Sequence, residues 1–404
     1  MIESAVAART LTAELARHAG PKTGLVVGAG AGSVVLAAAL EAVLPGDHLT
    51  VVGTGSDGGT ATALRAHLDA HGPWLADRVR VVHDLAAAET VDVIVVAEPL
   101  TGTAEHTRTF LDDLGKHLNP GGVIVLGVVA LPGRQDEAAA EVSRQAMLSG
   151  VGTDLVVRSS PPLRVHRLRY STADPAIASR LAPAYRPSSV PLTRRMHIDS
   201  NGVAAAGIAL GLAAFVRATR PESKLWLLPA LAAVPVAAFF RDPERDVPDD
   251  RTAVVAACDG KVLSVERVRD DRFSDDNFLR IAVFLSVLDV HVNRAPVAGR
   301  VVDYFVTDGG YAAAMKPAAE HNVAAYTVLE TERGTVAVAQ RTGLIARRIV
   351  QRAPIGALLA KGERFGLIRF GSRTDVYLPA DRAQATVAPG DRVYGGSTVI
   401  ARWT

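Results

Sequence analysis

Two uninterrupted apolar runs, Gly202 to Val216 and Leu225 to Phe240, sit near the middle of the 404-residue chain, parted only by the polar turn RATRPESK. They divide the sequence into halves of different pattern. Before them, from about Thr23 to Tyr170, short apolar runs alternate with helical stretches: GLVVGAG, HLTVVG, VRVVH, VDVIVVAE, GGVIVLGVV, DLVVR and LRVHRLRY. This alternation predicts a doubly wound, mostly parallel α/β sheet that closes with a hairpin. After them, from Thr252 onward, valine-, isoleucine- and leucine-rich strands punctuated by glycine predict a mainly β unit, a sandwich or small barrel. The expected organisation is an α/β domain over 1–172, a proline-rich linker over 173–200, the apolar hairpin over 201–242 and a β domain over 243–404.

Each apolar run is shorter than the ~20 residues of a perpendicular bilayer span, so a re-entrant or interfacial hairpin competes with two tilted spans and with a pair of buried core helices. The charged turn between Ala- and Leu-rich runs favours lipid. Arg217, Arg220 and Lys224 in the turn, and Arg241, Arg245 and Arg251 beyond it, suit anionic head groups. A membrane lipid surface on the cytoplasmic side of the cell membrane is therefore the expected partner. The formal charge of +2 gives no reason to expect nucleic acid, and the single Cys258 excludes an intramolecular disulfide and a cysteine-cluster metal site; no metal is expected. The N-terminus, MIESAVAARTLTAELARHAG, lacks the basic and apolar segments of a signal peptide and predicts a first helix.

From Thr252 onward the chain has only two histidines, His291 and His321. His291 lies in FLSVLDVHVNRAPVAG, where Asp289, Asn293 and Arg294 crowd the end of an apolar run. A histidine merely hydrogen-bonded in a strand is the plain alternative. Gly371-Ser372 in GLIRFGSRTDVYLP and Asp259-Gly260 in AACDGKVLSV are, taken singly, ordinary turn or bulge signals.

Together, FFRDPER at 239–245, CDGKV at 258–262, FLSVLDVHVNRAPVAG at 284–299, GLIARRIV at 343–350 and RFGSRTDVYLP at 369–379 resemble the phosphatidylserine decarboxylases, in particular the compact branch with a Phe-Gly-Ser processing site. The resemblance covers about Gly202 to Thr404. It implies cleavage between Gly371 and Ser372 into β and α chains, conversion of Ser372 into a pyruvoyl group, and a Schiff base with the amine of phosphatidylserine that lets carbon dioxide leave and gives phosphatidylethanolamine. By motif, Asp259 and His291 are the family's catalytic aspartate and histidine, and a histidine oriented by a carboxylate is the physical expectation for activating a serine. Arg294 stands where another branch has a second histidine, so self-cleavage and proton donation are not divided between residues. Asn322-Val323-Ala324 replaces the family's Asn-Glu-Arg. A homo-oligomer is left open as a further partner.

In the first half, Gly28, Gly30 and Gly32 follow a strand and precede a helix, where backbone can approach a nucleotide-like ligand. With HLNPGGVIVLG at 117–127 the element order is similar to class I S-adenosylmethionine-dependent methyltransferases, which implies S-adenosylmethionine as a cofactor. The acidic residue expected after the second strand is absent unless Asp57 supplies it, and Val26-Val27 stand where an acid often precedes the glycines. Glu98 occupies a strand end that faces a substrate in such folds. Three readings stay open for the whole chain: a decarboxylase with a structural or regulatory N-terminal domain, a methyltransferase with a membrane anchor, and a membrane scaffold with an inactive decarboxylase half.

Overall fold

The computed structural model describes the chain except residues 1, 19, 54–57, 73, 74, 76, 132–135, 186–188, 274–276, 345–347, 370 and 371, and only the backbone of 58–60. Gly371 and Asp57 therefore lie outside the described residues. The chain forms two compact units, Met1–Pro187 with Gly356–Leu358, and Ser188–Ile355 with Leu359–Thr404.

The first unit opens with two short helices, Ala5–Leu11 and Ala13–Arg17, and is built on seven strands: β1 (Thr23–Ala29), β2 (His48–Gly53), β3 (Val79–Val82), β4 (Val91–Val96), β5 (Leu118–Val129), β6 (Gly150–Val156) and β7 (Leu163–Leu168). Their order is β3-β2-β1-β4-β5-β7-β6. The first five pair in parallel and β7 runs antiparallel to both neighbours, as the predicted closing hairpin requires. β1 and β4 are valine-rich and almost wholly buried, because helices cover both faces of a parallel sheet. The strand order reverses between β1 and β4. Gly28, at φ +80°, forms a bulge near the end of β1 beside that switch point, and Ser33 then caps the helix Val34–Glu41 by accepting from the amide of Leu36.

The second unit contains the apolar hairpin and the β domain. Asp199 caps a helix over Ser200–Thr219, and a second, shorter apolar helical segment runs from Lys224 to Phe239. The first helix is longer than the apolar run predicts because Arg217, Ala218 and Thr219 continue it before Pro221 stops it. At 20 residues it is long and apolar enough to cross a membrane, and only 11% of its apolar window is buried. Buried core helices are thereby excluded. Ile208, Phe215, Leu228, Leu231 and Val234 project from the hairpin largely exposed.

The hairpin is held at its foot. Strands Val190–Thr193, Met196–Ile198 and Arg241–Pro243 form a small antiparallel sheet there, so the end of the expected linker is structured. Phe239, Phe240, Ile198 and Leu367 make a local core. Gly202 permits the approach, since a Cβ at that position would lie 2.5 Å from the Cβ of Phe240.

In the main sheet, neighbouring strands run Gly299–Thr307, Ala324–Thr331, Gly334–Arg341, Ser372–Pro379, Asn277–Leu285 and Gly260–Arg269, all antiparallel. Among the described residues this strand order does not close on itself, so the small-barrel alternative gives way to an open sheet. The strand Ala324–Thr331 is a central member that the sequence reading does not count as a strand. Its first six residues are all buried, so it lacks the polar alternation that marks a half-buried strand. All eight residues of Ser372–Pro379 are buried for the same reason.

Candidate active site

Ser372 begins a central strand, paired with Leu285 on one side, while its neighbour Arg373 pairs with Arg341 on the other. Alternation puts Ser372 and Thr374 on one face and Arg373 and Asp375 on the opposite one. The Arg373 and Asp375 face is polar and paired: Arg341 and Arg373 both reach Asp375, at 2.8 and 2.6 Å. On the Ser372 face, Asn293 donates to the hydroxyl of Thr374 at 3.2 Å and accepts from Gln340 at 2.7 Å.

Asn293 belongs to the short strand Val292–Arg294, which pairs with Arg364–Ile368, the strand leading into the Gly371-Ser372 segment. His291 immediately precedes this strand, and its carbonyl accepts from the amide of Ile368 at 3.2 Å. Two segments far apart in sequence are thus held in one register. The strand that follows His291 is tied to the Ser372 strand through Asn293 and Thr374, although His291 and Ser372 are not hydrogen-bonded to each other.

His291 is 2% exposed, and the ring of Phe239 lies over its imidazole with centroids 4.4 Å apart. Its Nδ1 contacts the backbone carbonyl of Asp289 at 2.9 Å. A carbonyl only accepts, so the neutral ring carries its proton on Nδ1 and leaves the lone pair on Nε2. Burial holds the imidazole down at about 4, against the opposing pull of the Asp289 hydrogen bond and charge and with help from the Arg241 cation. The ring is neutral at pH 7. Among the described residues neither His291 Nε2 nor Ser372 Oγ has a hydrogen-bond partner, although both atoms are buried. A buried base and a buried hydroxyl with unspent hydrogen bonds are exceptions to the rule that buried polar atoms pair.

Other predicted residues fall elsewhere. The carboxylate expected to orient His291 does not do so: Asp259 pairs with Arg245 at 2.6 Å and accepts from the amide of Gly395 at 2.8 Å. Burial raises its pKa, with Arg245 opposing. The orienting group is instead the main chain of Asp289, whose carboxylate accepts from the amide and hydroxyl of Ser286, each at 2.7 Å, and from Arg392. Arg294 takes no histidine-like role; buried, it donates to Asp242 at 2.9 Å, to the Pro243 carbonyl at 2.8 Å and to that of Gly362 at 3.2 Å. Asn322 holds a loop through Ala312 and the carbonyl of Thr342, all at 2.8 Å. His321 is exposed. Phe239 is the residue that sequence reasoning passed over, although it lies in the quoted FFRDPER; nothing in an apolar run distinguishes a ring that covers a histidine from one that faces lipid.

In the first unit only Gly28 of the three glycines has positive φ, and a Cβ at Gly28, Gly30 or Gly32 would meet nothing within 4 Å. Space for close approach exists there. Glu98 is exposed at the end of β4.

A sequence profile described as phosphatidylserine decarboxylase matches residues 234–401. The chain is 49% identical over 166 residues to a phosphatidylserine decarboxylase proenzyme of Symbiobacterium thermophilum, covering 41% of this chain and 77% of the relative. It is 41% identical over 198 residues to one from Desulfotalea psychrophila, covering 48% and 92%. Among solved structures, TrmN from Thermus thermophilus (20% identity, TM-score 0.32, 41% of this chain and 48% of that one) and a methyltransferase from Pyrococcus furiosus (18%, 0.32, 41% and 82%) are similar to it. The doubly wound assignment of the first unit rests on its own strand order.

Proposed function

The chain belongs to the phosphatidylserine decarboxylase family, and from that premise we propose that Ser372 is the residue converted into its pyruvoyl group, with His291 as the base that starts the conversion. The activity is decarboxylation of phosphatidylserine to phosphatidylethanolamine. The observation that carries the assignment is the pair of buried, unpartnered atoms, His291 Nε2 and Ser372 Oγ.

In this reading Nε2 takes the hydroxyl proton as Oγ attacks the carbonyl of Gly371. The peptide bond is exchanged for an ester, and elimination of that ester releases the carboxylate of Gly371 at the end of a β chain. Elimination leaves a dehydroalanine at the start of the α chain, and its imine tautomer adds water and expels ammonia to give an α-keto acyl group. The keto carbonyl supplies the electron sink that decarboxylation of an amino acid needs. The chain's own residues supply the rest. Phe239 and the sheet exclude water from the imidazole, the carbonyl of Asp289 fixes its tautomer, and once protonated the same Nε2 is placed to return a proton to carbon. Asp259, locked to Arg245 and Gly395, is read as a positioning residue for the loops that frame this face.

The exposed apolar hairpin joined to this site suits a diacyl substrate that stays in the bilayer, so we read it as the membrane-docking element at the cytoplasmic face. The glycine turn at the end of β1 is read as a site for S-adenosylmethionine or a similar nucleoside, to be tested by titration. The deciding experiment is the intact mass of the wild-type protein beside Ser372→Ala. Wild type is expected as two chains, the shorter one blocked at its N-terminus, and the variant as one chain; a wild-type protein that stays whole under folding conditions sinks the proposal.

A further inference from the structure

Arginines crowd the foot of the hairpin, and most have a carboxylate partner. Arg245 pairs with Asp259, Arg294 with Asp242, Arg352 with Asp199 through both carboxylate oxygens, and Arg364 with Asp242 and Glu244. Two stand apart. Arg241 donates only to main-chain carbonyls, those of Ala238 at 3.2 Å and Leu288, and Arg369 donates to the amide oxygen of Asn201 at 2.8 Å while its buried Nε has no partner. Among the described residues neither guanidinium meets a carboxylate.

A local structural role accounts for part of this: Arg241 closes the last turn of the hairpin helix, and Arg369 lies 6.0 Å from the ring centroid of Phe240. It does not account for the charge. A guanidinium has five donors and a full positive charge, and leaving two of them unneutralised at a partly buried place is costly unless an anion arrives. The place itself suggests which one. Arg241 directly follows Phe239-Phe240, and its charge acts on His291; Arg369 precedes Ser372 by three residues, within about 10 Å along an extended chain. In phosphatidylserine the phosphodiester is separated from the reacting amine by only two carbons, with the acyl chains on its other side. A head group whose amine lies at residue 372 and whose tails follow the hairpin carries its phosphate past the hairpin foot.

We propose that Arg241, which follows Phe239-Phe240 in the chain, and Arg369, which lies against the Phe240 ring, form the phosphodiester-binding site for the substrate's head group. The proposal rests on Ser372 being the reacting residue, but its test does not require turnover. Calorimetric binding of glycerophosphoserine is measured on the uncut Ser372→Ala chain, alone and combined with Arg241→Gln, Arg369→Gln and the two lysine replacements. Glutamine keeps a donor for the carbonyl or amide and removes the charge. Expected is a Kd about 10- to 100-fold weaker for each glutamine variant, most of the loss recovered by lysine, and weaker binding of inorganic phosphate than of glycerophosphoserine at the same residues. Free serine is the phosphate-free arm, and its binding is expected to be insensitive to these changes. Unchanged glycerophosphoserine affinity, an equal loss for serine, or inorganic phosphate binding as tightly as the diester would overturn the proposal. Failure of self-cleavage in the wild type strikes only the reading of Ser372.

Discussion

Two buried histidines, one in each unit, have similar electrostatics and different surroundings. His166 in β7 and His291 are both held down at about 4 by burial, and both keep an Nε2 without a partner. His166 faces Thr153 directly across the β6–β7 ladder, and the hydroxyl of Thr153 is spent on its Nδ1 at 3.2 Å. A hydroxyl both gives and takes, so that contact does not fix the tautomer. His291 has a carbonyl on Nδ1, which does fix it, and among the described residues the hydroxyl of Ser372 is buried without a partner as well. A depressed pKa therefore reports burial, with help from a nearby arginine in both cases, and not a site. What separates a site from a packed histidine is the fixed tautomer combined with a nucleophile whose hydrogen bond is unspent.

The comparison is broken most severely by removing each imidazole in turn. His291→Gln is expected to slow self-cleavage by about 10²- to 10⁴-fold, the range for loss of a general base, while His166→Gln leaves the cleavage rate unchanged. A time course of intact mass decides it, and equal rates for both variants would strip His291 of its role. The pH dependence has a definite sign. The base form of His291 is present above about 4, so wild-type cleavage stays level from pH 8 down to about 5 and falls below that. Stability follows the same window. The unfolded histidine binds its proton near 6.5 and the folded one near 4, so protonation favours unfolding as pH drops through that interval and contributes nothing above it.

A smaller effect is expected from the hairpin, which makes the second unit unlike the first in what it exposes. Leu228, Leu231 and Val234 lie three residues apart along one helix, each about 70% exposed. Replacing all three with aspartate is expected to weaken sedimentation with phosphatidylserine vesicles by roughly 100-fold or more, given the apolar burial each side chain loses. Turnover of a short-chain, water-soluble phosphatidylserine is expected to fall far less. Undiminished vesicle binding would remove lipid as the partner of this face.

Much of this was legible in the sequence, for identifiable reasons. The parallel sheet announced itself because each strand is a short valine run between helices, and the hairpin because two apolar runs flank a charged turn. His291 and Ser372 stood out through motif and scarcity of histidine. The Asp259 assignment shows the limit: a motif gives residue types in order, but whether a carboxylate reaches an imidazole or an arginine depends on pairing between distant strands, and Arg245 claims it. The orienting carbonyl of Asp289 is main chain, and no residue identity encodes it.

The smallest effect expected on activity comes from the first unit. Gly28 leaves β1 at φ +80°, a conformation that costs a residue with a Cβ about 1–2 kcal/mol, although nothing within 4 Å obstructs the side chain. Gly28→Val is therefore expected to lower the stability of the first unit by that amount in a denaturant titration, and to weaken any S-adenosylmethionine binding at the glycine turn. Decarboxylation by the same variant is expected to stay within about twofold of wild type, because every residue assigned to the reaction lies in the second unit. A large fall in decarboxylation with intact self-cleavage would show instead that the glycine turn and His291 are coupled, and that the first unit regulates the reaction rather than accompanying it.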